Sequence, residues 1–104
     1  MTEEKYEEMV MGLVGFAGEG RSLALEALKC LRTNDFKQAD ELLNQARQAL
    51  LEAHHIQTDL IQAEINGEAM PTTLLMIHAQ DHLMIAMLAC DLIEEMIAIR
   101  KTNP

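Results

Sequence analysis

Residues 74–101 read LLMIHAQDHLMIAMLACDLIEEMIAIRK, and this stretch decides the fold. With about 100° of rotation per residue, a helix over this range gathers one set of side chains on a single face: Leu74, His78, Asp81, His82, Ile85, Ala89, Leu92 and Met96. The opposite side is hardly more polar, because Leu83, Met84 and Met87 lie there. A helix that is apolar nearly all round must be buried nearly all round. Two neighbouring helices in a small monomer cannot cover it, so the stretch predicts an oligomer.

Two further helices are predicted before this one. The first runs from Thr2 to about Arg32, with a threonine N-cap and two glutamates in its first turn. The second follows a break at residues 33–35 and ends near Ile65; Asn34 or Asp35 can cap it. Its alanines and leucines keep a helical period.

The second break is at Asn66-Gly67, where Gly67 suits a left-handed C-terminal cap. Pro71 fits the first turn of the third helix, which runs to about Lys101. The sequence therefore predicts an all-α protein, an antiparallel three-helix bundle that forms one domain over residues 1–104.

Four glycines interrupt the first helix within nine residues, and each costs roughly 1 kcal/mol relative to alanine in a helix interior: Gly12, Gly15, Gly18 and Gly20. One interpretation is a kink or a close approach between helices through small residues. The other is a surface that the backbone of a partner can approach.

Composition and charge exclude several functions. The chain of 104 residues is 49% hydrophobic with a formal net charge of −9, which argues against nucleic-acid binding and against docking on an anionic membrane. The polar start at residues 1–5 is unlike a signal peptide, and the longest apolar run, residues 83–90, is too short to span a bilayer. We expect a cytoplasmic protein in which Cys30 and Cys90 are reduced thiols, packed as small hydrophobic residues.

The four histidines form two pairs with different geometry. His54 and His55 are adjacent in the second helix, whereas His78 and His82 are four residues apart and share one face of the third. Asp81 lies between the second pair, within about one helical turn. Polar groups on an apolar face cost free energy unless they find partners, so this cluster is the candidate site.

Three kinds of chemistry fit the cluster to different degrees. His78, Asp81 and His82 could be metal ligands, as in a helical metal-binding or scaffolding protein. A di-metal carboxylate bundle is a weaker reading, because Glu52 and His55 form only one of the two Glu-x-x-His motifs it needs. The third is phosphoryl transfer, since a neutral imidazole is a competent nucleophile near pH 7. Spacing alone does not separate the first reading from the third.

A resemblance to a known family does separate them. The string LLMIHAQDHLM at residues 74–84 resembles the active-site helix of the enzyme IIA components of the phosphotransferase system, lactose/cellobiose (N,N'-diacetylchitobiose) family. Residues 17–28 (AGEGRSLALEAL) and 53–60 (AHHIQTDL) are similar to that family too. The resemblance covers nearly the whole chain in order and length, and HAQDHLM is its most specific part.

The resemblance implies a phosphotransferase component that is a homotrimer of three-helix bundles. His78 would be phosphorylated on Nε2 by the histidine phosphocarrier protein HPr, and would pass the group to a cysteine of enzyme IIB during uptake of a disaccharide of the cellobiose, chitobiose or lactose type. Asp81 would point to the trimer axis, where three copies surround a divalent cation such as Mg²⁺. His82 would lie near the phosphoryl group, and Gln80 would face a partner.

Overall fold

The computed structural model describes residues 1–103, so Pro104, the last residue of the predicted domain, lies outside the described part. Three long helices form an elongated bundle with extents of 52 × 20 × 19 Å. They are α1, Glu3–Lys29, which continues into a short 3-10 turn at Cys30–Thr33, then α2, Phe36–Ile65, and α3, Leu74–Thr102. The predicted all-α three-helix bundle is confirmed. None of the helices formed by residues 1–103 combines the length and apolar character needed to cross a membrane.

The first two helices begin where their sequences predict. The hydroxyl of Thr2 accepts a hydrogen bond from the Lys5 backbone N–H at 3.1 Å, and the carboxylate of Asp35 accepts one from the Gln38 N–H at 3.2 Å. Each bond satisfies a backbone donor that the first helical turn leaves free. Asn34 adopts a left-handed conformation with φ 56°, which reverses the chain between α1 and α2.

The start of α3 differs from the prediction. Gly67 has the expected positive φ of 87°, but Pro71 does not lie in the first turn of α3. The helix begins at Leu74, because Thr73 is its N-cap and accepts a hydrogen bond from the Met76 N–H at 3.1 Å. Pro71 is held in the preceding connection, where its carbonyl accepts a hydrogen bond from the Tyr6 hydroxyl at 2.6 Å.

The core is built mainly from alanine and leucine, and it covers only one side of α3. The buried residues of α3 recur every three or four positions: Ala79, Leu83, Ala86, Cys90, Ile93 and Ile97. The opposite side is exposed, and we call it the apolar stripe: Leu74, Ile77, Met84, Ile85, Leu88, Leu92, Met96 and Ile99. A single chain therefore leaves a large apolar surface of α3 in contact with solvent.

The glycines do not interrupt α1, which is helical through residues 12–20. Gly20 marks a close approach to α2, because a Cβ atom built there would lie 2.5 Å from Leu50 Cδ2 and 3.2 Å from the Ala46 carbonyl oxygen. The close-approach interpretation is thus confirmed at Gly20. Gly15 is different, since a Cβ atom there would meet no atom within 4 Å.

Candidate functional site

Contacts between the N-terminal residues of the chain and the connection that precedes α3 hold the start of α3 in place. The Tyr6 side chain is 5% exposed and its hydroxyl binds the Pro71 carbonyl. Nearby, the N-terminal ammonium of Met1 forms an ion pair with Glu68 at 2.5 Å. With the connection tied to α1 and the helix capped by Thr73, the fifth residue of α3, His78, is placed on a rigid element close to a helix N-terminus.

The two histidines predicted from the sequence lie side by side on α3. His78 is exposed to solvent, whereas His82 is half-buried. Their rings are stacked, with centroids 5.5 Å apart and an angle of 15° between the ring planes. An exposed imidazole supported on one side by a second ring is open to attack a group brought by another protein.

His82 is packed against α1. A Cβ atom built on Gly18 would lie 3.2 Å from His82 Nε2, so the ring edge is in close contact with the backbone of α1 at this glycine. In the sequence, Gly18 belongs to the family-like stretch 17–28, but no pattern pairs it with His82. That pairing depends on how far α1 and α3 are shifted along each other, which no local pattern encodes.

Asp81 is exposed and lies on the apolar stripe. One turn away on that side of the helix are Ile77, Met84 and Ile85, which are also exposed. Within residues 1–103, none of the ion pairs involves Asp81. A lone carboxylate on an apolar surface is expensive to cover unless a cation or a hydrogen-bond donor comes with the partner.

Gln80 points away from the histidines. It lies about 200° around α3 from His78, and its side-chain oxygen accepts a hydrogen bond from Gln57 Nε2 of α2 at 2.7 Å. Its amide nitrogen donates to Met76 Sδ at 3.5 Å. In the single chain, Gln80 therefore links α3 to α2 and does not contact His78. Gln57 lies in the family-like stretch 53–60, but the sequence does not show that it contacts Gln80.

The arrangement does not gather metal ligands within one chain. Among residues 1–103, no group of three His, Cys, Asp or Glu side chains is placed to hold an ion. The nearly parallel rings of His78 and His82 direct their in-plane lone pairs along parallel planes, whereas chelation needs them to converge on one point. Glu52 and His55 are both exposed on α2, as is His54.

The cysteines are structural. Cys90 is completely buried in the core, and this burial raises the pKa of its thiol, which disfavours the nucleophilic thiolate. Cys30 is half-buried at the end of α1 and is a free thiol. The expectation that both pack as small hydrophobic residues is confirmed for Cys90 and only partly for Cys30.

Comparison with known proteins gives a consistent result. The profile of the family described as "PTS system, Lactose/Cellobiose specific IIA subunit" matches residues 8–101. The N,N'-diacetylchitobiose-specific EIIA component of Escherichia coli K12 is 46% identical over 98 residues, which cover 94% of this chain and 84% of that protein.

Solved structures agree in fold. The cellobiose-specific enzyme IIA of Bacillus anthracis superposes with a TM-score of 0.91 at 41% identity, covering 99% of this chain and 93% of that one. The IIA(Chitobiose) subunit of the E. coli complex with HPr has a TM-score of 0.78 at 44% identity, covering 93% and 94%.

Proposed function

Because the chain belongs to the lactose/cellobiose-specific IIA family of the phosphotransferase system, we propose that His78 is the residue on which it carries the phosphoryl group. The protein is a phosphoryl-relay component of a sugar phosphotransferase system for a disaccharide of the chitobiose, cellobiose or lactose type. The observation that supports His78 is its geometry: an exposed imidazole, stacked on His82, on a helix whose start is tied to α1.

The proposed reaction is a double displacement through one imidazole. Nε2 of His78 attacks phosphorus in phosphorylated HPr, so that the bond to the donor's histidine nitrogen breaks as the new P–N bond forms. A cysteine of enzyme IIB then attacks the same phosphorus and releases His78. Such transfers depend mainly on positioning and on charge stabilisation.

The direct test starts with the unmodified chain. After incubation with phosphorylated HPr, intact-mass measurement is expected to show the gain of one phosphoryl group, and fragmentation is expected to place it on His78. Addition of enzyme IIB should then remove it. A chain that gains no mass, or that carries phosphate on His54, His55 or His82 instead, would contradict the proposal.

We propose further that the protein is a cytoplasmic homotrimer in which α3 lines the axis. The argument is the apolar stripe, which runs from Leu74 to Ile99 along the whole of α3 and includes Leu88 at 59% exposure. Burial of apolar surface contributes about 25 cal/mol per Å², so association along such a stripe is strongly favoured. HPr and enzyme IIB are the transient partners, and they would approach the exposed ring of His78 at the edge of the stripe.

We propose that Asp81 binds a hard divalent cation such as Mg²⁺ when three chains come together. One chain supplies one free carboxylate here, and a threefold axis would bring three together. Oxygen ligands of this type suit Mg²⁺, and a cation offsets the repulsion of carboxylates gathered in an apolar surface. The donor set therefore fits the ion in the trimer.

Replacing Asp81 with leucine is expected to make the trimer insensitive to divalent cations. The wild-type protein should melt several degrees higher with Mg²⁺ than with a chelator, since an ion at 100 times its dissociation constant adds about 2.7 kcal/mol. The variant should melt at the same temperature with Mg²⁺ and with the chelator. In the chelator it should melt no lower than the wild type, because it buries an apolar group in place of a charge. Thermal unfolding followed by circular dichroism measures this.

The matched control is Asp59→Leu, which removes an exposed carboxylate from α2 instead. It should keep the response of the wild type to Mg²⁺ and chelator. Equal responses from Asp81→Leu and the wild type would show that Asp81 binds no ion.

A further inference from the structure

Gly18 of α1 stands in close contact with the half-buried histidine of the candidate site. We infer that Gly18 is a positioning residue for phosphoryl transfer: its missing side chain leaves the space in which His82 lies, and His82 in turn orients the ring of His78. The inference rests on the proposed role of His78 as phosphoryl carrier. It also gives a function to one of the four glycines of α1, whose role the sequence alone does not decide.

The contact is specific to this glycine. A Cβ atom on Gly18 would approach His82 Nε2 to 3.2 Å and His82 Cδ2 to 4.0 Å, with no other atom within 4 Å. The neighbouring glycines meet other surroundings, because Gly12 faces Ile56, Gly20 faces Leu50, and Gly15 faces open space. Only at Gly18 does an added methyl group press on a residue of the site.

A methyl group at position 18 would displace the His82 ring and so affect His78. A separation of 3.2 Å is tighter than ordinary van der Waals contact, so the His82 ring must move by a few tenths of an ångström or rotate. His82 also stacks on the ring of His78, with 5.5 Å between the ring centroids. A shift of His82 therefore changes the support of the attacking His78 ring. A misplacement of about 1 Å can cost a hundredfold in rate, so a smaller shift is expected to cost less.

The experiment compares Gly18→Ala with Gly15→Ala. Both variants add one methyl group to the interior of α1 and gain the same helix propensity, about 1 kcal/mol, but only the first meets His82. In transfer from phosphorylated HPr, Gly18→Ala is expected to lower kcat roughly three- to tenfold with an unchanged KM, and to shift the imidazole NMR signals of His78 and His82. Gly15→Ala should leave kcat, KM and these signals as in the wild type.

A second comparison tests whether Gly18 acts through His82. When His82 is already alanine, Gly18→Ala should cause no further loss of kcat, because the ring that it displaces is gone; this is the non-additivity of a coupled pair. A full additional loss, a change confined to KM, or equal behaviour of the Gly18 and Gly15 variants would overturn the inference. If the wild-type chain itself accepts no phosphate on His78, the proposed function is wrong. If the wild type accepts phosphate but the Gly18 and Gly15 variants behave alike, only the role of Gly18 is wrong.

Discussion

Replacing His78 with alanine is expected to abolish phosphorylation by HPr while leaving the bundle folded. The variant lacks the only nitrogen that the proposed mechanism uses, and no positioned nucleophile replaces it, so the rate should fall by more than about a thousandfold. The side chain is exposed, and such substitutions usually change stability by no more than about 0.5 kcal/mol. Intact-mass measurement after incubation with phosphorylated HPr, together with a melting curve, tests both parts.

His55→Ala is the control, because His55 is also an exposed histidine but lies on α2 and not on α3. It should be phosphorylated as fast as the wild type. The variant His82→Ala should be intermediate, since it keeps the nucleophile and loses its support. A His78→Ala protein that still accepts a phosphoryl group at the wild-type rate would remove His78 from the mechanism, whatever the family relationship.

Much of the fold was predictable because its signals are local. The caps Thr2 and Asp35, and the left-handed Gly67, each depend on a few neighbouring residues, and the structure has all three where the sequence indicates. The predicted start of α3 was wrong for a non-local reason. Pro71 is retained in the connection by the hydroxyl of Tyr6, 65 residues earlier in the chain, and a proline preference for first turns contains no information about that contact.

In the candidate site too, features within one helix were predictable and contacts between helices were not. The pairing of His78 with His82 follows from the four-residue spacing on one helix, and the stacked rings agree with it. The direction of Gln80, about 200° from His78, also follows from helix geometry. Its partner Gln57 does not, because that bond depends on the register between α2 and α3. The contact of Gly18 with His82 was hidden for the same reason.

The apolar stripe was only partly visible in the sequence. The periodic pattern showed that α3 is apolar nearly all round, but it did not show which half the other two helices would cover. The structure assigns Leu83 and Ile93 to the core and leaves Leu88 and Leu92 exposed. This division matters for assembly, because it identifies the positions where a polar substitution disturbs contacts between chains and spares the bundle itself.

Leu88→Glu is accordingly expected to convert the proposed trimer into folded monomers. Position 88 is 59% exposed in the single chain, so the bundle tolerates a charge there, whereas a trimer would bury three carboxylates. Burial of an unpaired ion costs several kcal/mol, and even about 1 kcal/mol per copy sums to about 3 kcal/mol, more than a hundredfold in the association constant. Light scattering coupled to size-exclusion chromatography measures the mass, and circular dichroism should still show a full helical spectrum.

Two control variants separate apolar contact from charge. Leu88→Met keeps an apolar side chain of similar volume and should remain trimeric, and Asn44→Glu adds the same charge to the exposed surface of α2 and should also remain trimeric. If Leu88→Glu keeps the mass of the wild-type assembly, α3 does not line the interface. A wild-type protein that is itself a monomer would remove the trimer, and with it the proposed ring of Asp81 carboxylates, while the chemistry of His78 would still be tested independently by its phosphorylation.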